Sequence, residues 1–398
     1  MAGGGPAGMM LGFLLARAGI EVAVLEKHAD FFRDFRGDTI HPSTLELMYE
    51  LRLLEKFLAL PHDEVTELSG FVNDEPFKLV DLTHLPTHCK FVAFMPQWNF
   101  LNFLAEEAKK YPTFHLRMQT EAHDLIREAE RVVGVRATDP QGDLEIRAAL
   151  TVGADGRSST LREVAKMRTI DFGAPMDVLW LRIPREPNDP GQAFGFIKPG
   201  KIFVLIGRQS YWQCAYVIPK GSFAAIQAHG LEAFRANVGL MAPFVRDRLD
   251  SIKSWDDVKL LTVQVDRLAE WYSDGLLFIG DAAHAMSPIG GVGINLAIQD
   301  GVAAANLLYP ALNSGNAPDL AAVQRRRTYP TVATQTLQLG IQKLIIGNVL
   351  RDIPNRTIRA PLAVKAMSRF PVLRRIPAYL IGVGFRPEHV RTPERAAQ

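Results

Sequence analysis

Near the start of the chain, Gly3-Gly4-Gly5-Pro6-Ala7-Gly8 sets glycines at the three fixed positions of a GxGxxG turn, and an apolar run from Met9 to Ala18 follows. Glycines at Gly3, Gly5 and Gly8 allow a tight turn and close backbone approach to a pyrophosphate. That group would rest on the free N–H groups and positive dipole end of the helix that follows. Glu21-Val22-Ala23-Val24-Leu25-Glu26 then reads as a short buried strand ending in an acid. Glu26 follows Gly8 by roughly twenty residues, where a carboxylate that accepts hydrogen bonds from ribose hydroxyls is expected. A glycine-rich turn alone also arises for packing. The strand and its terminal acid make the signal specific.

Two later segments carry similar chemistry. Thr151-Val152-Gly153-Ala154-Asp155-Gly156 reads as a strand and a turn, and Arg157 to Arg162 as a helix start with Ser and Thr capping residues. It suits a site that presents backbone N–H groups and one carboxylate, and it equally suits an ordinary strand-to-helix connection. Gly275 to Ile279 form an apolar strand leading to Gly280-Asp281-Ala282-Ala283-His284. The loop Ser287-Pro288-Ile289-Gly290-Gly291-Val292-Gly293-Ile294-Asn295 then opens a helix through Asp300. Asp281 is placed to accept from a sugar hydroxyl, and the N–H groups at Gly293 to Asn295 are placed to stabilise negative charge on a ring. His284 also reads simply as a satisfied histidine beside a turn.

The elements that must position these residues form an α/β fold. A GxGxxG turn needs an apolar strand of about five or six residues before it. Only Met1 and Ala2 precede Gly3, so the first strand is expected to be missing, most simply through truncation. From about 172 to 220, runs such as Val178 to Ile183, Lys201 to Ile206 and Trp212 to Ile218 alternate around Pro199-Gly200, which predicts several antiparallel strands. Phe194, Phe196, Phe203, Trp212 and Tyr216 are left unassigned between core and pocket. Residues 223–253 and 295–350 read as helices. The expected organisation is a discontinuous Rossmann-like cofactor domain over 1–170 and 260–330. Residues 171–259, with part of 65–100, form a mainly antiparallel substrate domain, and 331–398 a helical C-terminal region.

Composition narrows the function classes. The 398 residues are 47% hydrophobic and 22% charged, long enough for two subdomains and apolar enough to fold. A formal charge of +2 gives no field that implies nucleic acid, so a small-molecule partner is expected. Cys89 and Cys214 lie far apart without metal-ligand spacing, so neither a disulfide framework nor a metal site is expected. No apolar run reaches about 18 residues and no secretory leader is visible, so a cytoplasmic protein without an integral membrane segment is expected. The basic, Pro-containing stretch from Arg351 to Arg391 suits packing on the main body, or a weak peripheral contact with a membrane.

Taken in order, the glycine turn with Glu26, the Gly153 to Gly156 turn and the Gly280 to Asn295 segment closely resemble the para-hydroxybenzoate hydroxylase family. These are the FAD-dependent aromatic-ring monooxygenases, and the resemblance spans residues 3 to about 310. It implies non-covalent FAD held by Gly3, Gly5, Gly8, Glu26 and Lys27, by Arg36 and Gln97 near the flavin and ribityl chain, and by Asp155, Gly156, Gly280, Asp281, Gly291, Gly293 and Asn295. It places Pro288, Gly293, Ile294 and Asn295 against the flavin ring, with no side-chain nucleophile. It also implies NADH or NADPH as a transient co-substrate, and no second Rossmann unit is visible for it. The implied reaction passes one oxygen atom from O2, through a flavin C4a-hydroperoxide, to an aromatic or other electron-rich, lipophilic small molecule. Alternatives are a truncated, inactive FAD-binding relative, or a flavin epoxidase, halogenase or reductase. Trp212 to Pro219 only partly resembles the halogenase WxWxIP pattern, because Cys214 and Tyr216 displace its register. That departure argues against halogenation.

Overall fold

Gly5 and Pro6 start the first helix, α1 (Pro6–Arg17): Gly5 is an extended N-cap, and Pro6 gives up an N–H that would have no helical partner there. Every residue from Ala7 to Ala16 is buried, so α1 is a central helix rather than a surface one. It packs against the strand Val22–Leu25, against α2 (Gln97–Ala108) and against α3 (Gly293–Asn313). The approach to α3 is close because Gly301 faces α1 at a point where a Cβ would lie 2.8 Å from the Ala7 carbonyl. The computed structural model describes residues 1–32, 39–190, 193–351, 358 and 360–395.

The sheet beneath α1 is parallel over most of its width. Val22–Leu25 pairs with Phe114–Arg117 on one side, and Thr151–Gly153 pairs with Leu276–Phe278 on the other. No strand precedes α1, yet Ala2 occupies the slot between these pairs and bridges both Leu25 and Gly153. The ladder is continuous there: Ala2 N donates to Val152 O (2.8 Å), Ala154 N to Ala2 O (2.7 Å), Gly3 N to Leu25 O (2.9 Å) and Leu25 N to Met1 O (2.9 Å). The glycine turn therefore leaves the carboxyl ends of neighbouring parallel strands, the place where such sheets bind ligands.

A second sheet of seven strands stands beside the first. Its order is Lys259–Leu261, Met176–Pro184, Tyr211–Pro219, Lys201–Gly207, Ala193–Lys198, Glu67–Val72 and Glu75–Asp81. All pairs are antiparallel except Ala193–Lys198 with Glu67–Val72. The period-2 alternation divides its side chains between two faces. Leu179, Leu181, Phe203, Trp212, Cys214 and Tyr216 pack into a core with Phe234 and Val238 of the helix Leu231–Met241, whereas Val178, Trp180, Val204, Ala215 and Val217 face the other way.

The C-terminal third is helical. α4 (Leu320–Ile341) follows α3, and α5 (Leu362–Arg369), a turn at Pro371–Arg374 and α6 (Arg375–Gly382) pack along the edge strand Glu75–Asp81. No helix among the described residues is long and apolar enough to cross a membrane.

Candidate functional site

One cavity of about 650 Å³ runs from the glycine turn to the inner face of the seven-stranded sheet. At one end lie Gly3, Gly4 and Gly5, the N-terminus of α1, Glu26 and Lys27. A Cβ on Gly3, whose φ is +112°, would stand 2.3 Å from the Ala154 carbonyl, so only glycine fits the turn. Gly5 has no side chain with which to cap α1, and the helix's first-turn N–H groups therefore remain available to an anion. Glu26 is buried beside this turn and accepts from His28 N through Oε1 (3.0 Å).

Opposite the turn, Asp155, Gly156 and Arg157 line the same space. Burial pushes the Asp155 carboxyl up, against the pull of Ser159, the Leu161 N–H and Arg162. Leu161 N donates to its Oδ2 (3.2 Å), while Oδ1 is buried without a hydrogen-bond partner among the described residues. Asp281 completes this middle region, and Arg157 Nη2 donates to its Oδ2 (3.2 Å). Asp281 is aimed by the turn below it. Gly280 adopts φ +60° against Ala7 and Ala297, and its N–H donates to the buried Asp300 Oδ2 (3.0 Å). Asp300 also pairs with His284 Nε2 (2.6 Å) and Arg327 Nε (2.8 Å). Burial alone would raise the Asp300 carboxyl, yet His284 and Arg327 hold it below the usual carboxylate range.

The far end is built around Pro288, Ile289, Gly290, Gly291, Gly293 and Ile294. Gly290 and Gly291 both take positive φ (+77° and +63°), and a Cβ on Gly291 would lie 2.6 Å from Thr39 Oγ1. Thr39 Oγ1 donates to the Gly291 carbonyl (2.9 Å), and Asn295 Nδ2 donates to the Thr39 carbonyl (3.0 Å). Asn295 Oδ1 accepts from His41 N (2.9 Å) and Thr44 Oγ1 (2.8 Å). α3 begins at Gly293 without a side-chain cap, so a second helix N-terminus faces the cavity. His41 lines this end too. Its Nδ1 lies 2.7 Å from the Ile381 carbonyl, which fixes the proton on Nδ1, and burial pushes its pKa down to about 4.

The wall facing that loop is apolar. Met176, Val178, Trp180, Ile202, Val204 and Val217 come from the sheet, joined by Ile346 and by Ile381 of α6. Gln213 is the polar exception in this wall, and its Oε1 accepts from Arg208 (3.1 Å). The aromatic residues Phe203, Trp212 and Tyr216 lie behind the sheet in the core.

Of the residues singled out in the sequence, Gly3, Gly5, Glu26, Lys27, Gln97, Asp155, Gly156, Asp281, Pro288, Gly291, Gly293 and Ile294 line this one cavity. Gly8 and Gly280 stand behind it. A Cβ on Gly8 would lie 2.1 Å from the Gly3 carbonyl. Asn295 is placed not against the cavity but behind it, tying the loop to Thr39, His41 and Thr44. Arg36 lies outside the described residues. His284 is buried in its pair with Asp300, away from the cavity. Arg157, Thr39, His41 and Arg327 belong to no motif residue set that marks this cavity in the sequence. Arg157 follows the Asp155-Gly156 turn directly and was within reach of that motif; the other three carry no local signal.

Two uncapped helix N-termini, an acid beside the glycine turn and a buried orphan carboxylate oxygen midway suit the cavity to FAD. Residues 1–338 match the model of a family described as an FAD binding domain. The chain is 30% identical to 6-methylpretetramide 4-monooxygenase of Streptomyces rimosus over 94% of its own length and 90% of that protein's. It is also 30% identical to the 12-dehydrotetracycline 5-monooxygenase/anhydrotetracycline 6-monooxygenase of Streptomyces rimosus subsp. rimosus, over 76% of this chain but 60% of that one. Among solved structures, PqsL, a probable FAD-dependent monooxygenase from Pseudomonas aeruginosa, matches with a TM-score of 0.74 at 20% identity, over 88% of this chain and 95% of its own. OxyS anhydrotetracycline hydroxylase from Streptomyces rimosus matches with a TM-score of 0.74 at 24% identity, over 96% and 74%. The structural likenesses concern the fold.

Proposed function

The chain belongs to the FAD-dependent aromatic-ring monooxygenase family, and on that premise we propose that it inserts one oxygen atom from O2 into an extended, fused-ring phenolic substrate, consuming NADH or NADPH. The observation that carries this reading is the single cavity joining the glycine turn to a broad aliphatic wall. A simple phenol would leave much of that wall in contact with water. A fused-ring substrate would cover it, at roughly 25 cal/mol per Å² of apolar surface removed from water.

FAD, when bound, supplies the redox and oxygen-transfer chemistry. In this reading the N–H groups at Gly4, Gly5 and the start of α1 hold the pyrophosphate, with Lys27 at the rim. Glu26 accepts from the adenosine ribose, and Gln97, Asp155 and Asp281 hold the ribityl and pyrophosphate region. The N–H groups of Gly293 and Ile294 at the start of α3 stabilise negative charge on the ring, Pro288 and Gly291 shape the loop beside it, and Asn295 fixes that loop from behind. The aliphatic wall excludes water from the reacting atoms. Residues 1–170 and 260–330 then form the cofactor part, 171–259 with Glu67–Asp81 the substrate part, and 331–398 the helical region alongside.

The test is an absorbance spectrum of the purified protein with FAD, then NADH and NADPH consumption in air with single-ring and fused-ring phenols. The expected result is bound flavin, consumption stimulated most by fused-ring phenols, and a product heavier by one oxygen atom. Stimulation by single-ring phenols alone overturns the substrate class, and a protein that binds no flavin overturns the whole reading.

A further inference from the structure

The C-terminal edge of the molecule carries an apolar and basic face that the reaction does not use. Leu362 in α5 is 85% exposed, and Phe370, Val372 and Ile376 are each more than half exposed, with Tyr379 close to that. Val372, Ile376 and Tyr379 recur at i, i+4 and i+7 along the turn Pro371–Arg374 and α6, so they form one outward stripe. Lys365, Arg369 and Arg375 are exposed on the same pair of helices. From Ala360 to Arg386 the chain has five Lys or Arg and no Asp or Glu, although the whole chain carries only +2. The charge is therefore concentrated where the exposed apolar residues are.

The inner side of α6 is well packed, so its outer residues are not displaced core, while α5 and the Pro371–Arg374 turn lie against the edge strand Glu75–Asp81 without burying a side chain. Ala378 is fully buried with Val65, Val80 and Leu82, and a Cβ on Gly382 would meet Leu85 at 2.6 Å. Ile381 turns inward to line the cavity. α6 thus separates the apolar cavity from the exposed stripe by the thickness of one helix.

We propose that α5, the Pro371–Arg374 turn and α6 are a docking surface for an anionic lipid bilayer. Aliphatic and aromatic side chains facing outward between Lys and Arg are the composition of helices that lie in the interface of a membrane. The aliphatic residues enter the acyl boundary, Tyr379 sits at headgroup depth, and Lys365, Arg369 and Arg375 meet the lipid charge. A second copy of this chain is disfavoured on the same face, because two such surfaces would oppose like charges. The proposal does not depend on which substrate is hydroxylated. Docked this way, the wall that α6 gives to the cavity lies next to the bilayer, where lipophilic molecules partition.

The full-length, FAD-loaded protein is sedimented with phosphatidylcholine vesicles and with vesicles that also contain about 30% phosphatidylserine. Binding is expected to the second and not to the first. Each lost basic charge is expected to weaken it about fivefold, so that the K365E/R369E variant stays in the supernatant. The V372S/I376S variant is expected to lose binding as well, while its flavin spectrum and melting temperature match those of the parent. Equal sedimentation with both vesicles, or binding that neither variant weakens, overturns the proposal. Dimerisation that V372S/I376S abolishes would assign the face to a second copy, and tight binding to polyglutamate without vesicle binding would assign it to an acidic protein; either result also overturns it.

Discussion

Asp300→Asn tests whether the buried charge cluster under the Gly280 turn positions Asp281. Asp300 is fully buried and accepts from Gly280 N at 3.0 Å while pairing with His284 and Arg327. Asparagine keeps the shape and one acceptor but removes the charge. Arg327, equally buried, is left with Glu388 at 3.3 Å and with an Nη2 that already lacks a partner among the described residues. Removing one member of a buried ion pair costs about 3 to 5 kcal/mol, a large part of the roughly 5 to 15 kcal/mol by which native proteins are stable. The Gly280 N–H also exchanges a charged acceptor for a neutral one, a loss of about 1 kcal/mol at the turn that aims Asp281. We therefore expect urea unfolding to show the full stability loss, and FAD titration to show a Kd raised about fivefold to tenfold. A double-mutant cycle with Arg327→Met should return a coupling of about 2 kcal/mol or more, because the second substitution removes the charge that the first stranded. A stability loss under about 1 kcal/mol, or costs that simply add, would refute the reasoning.

Three further outcomes are expected. Gly3→Ala places a Cβ 2.3 Å from the Ala154 carbonyl at φ +112°, so the turn must shift; FAD affinity should fall at least about tenfold, and unchanged affinity by titration would exclude this turn as the pyrophosphate site. His41 is held neutral with its pKa pushed down to about 4, so below about pH 6.5 the unfolded chain takes up a proton that the folded chain refuses. Its contribution is full above that pH and is lost as the pH falls toward 4. The parent should thus lose about 2 kcal/mol more than His41→Gln between pH 7 and pH 5, and parallel urea-unfolding curves across that range would contradict it. Ala215→Phe fills the aliphatic wall opposite the ring loop, so KM for fused-ring phenols should rise about tenfold or more with the flavin spectrum unchanged; a KM within twofold of the parent would move the substrate elsewhere.

The glycine-turn end of the cavity was legible in the sequence because its parts are local. The glycine turn, Glu26, Asp155 and Asp281 each stand at a strand end that a short window reveals, and the fold brings them to one cavity. The aliphatic wall was not legible. Alternation identified the strands Met176–Pro184 and Tyr211–Pro219, but period 2 gives two equivalent faces. Only the packing of Leu231–Met241 decides that Trp212 and Tyr216 go to the core and Ala215 and Val217 to the cavity. The pairing of Glu67–Val72 with Ala193–Lys198 joins residues more than a hundred positions apart and leaves no local trace. Asp300 and Arg327 were hidden for a related reason: each sits inside a helical pattern, and only α3 packed on α4 shows that their charges meet.

The same distinction explains Asn295. The sequence offers Asn295 through its backbone N–H at the start of α3, and nearness along the chain does not show where its side chain goes. In the fold its side chain begins a chain of hydrogen bonds. Asn295 holds the Thr39 carbonyl and the His41 N–H, Thr39 holds the Gly291 carbonyl, and His41 holds the Ile381 carbonyl of α6. Every link is between backbone and a short side chain at 2.7 to 3.0 Å. The glycine loop from Pro288 to Gly293 and the helix that carries the outward apolar stripe are therefore parts of one connected structure. A substitution at Asn295 should disturb both, which a role confined to contact with the ring would not do.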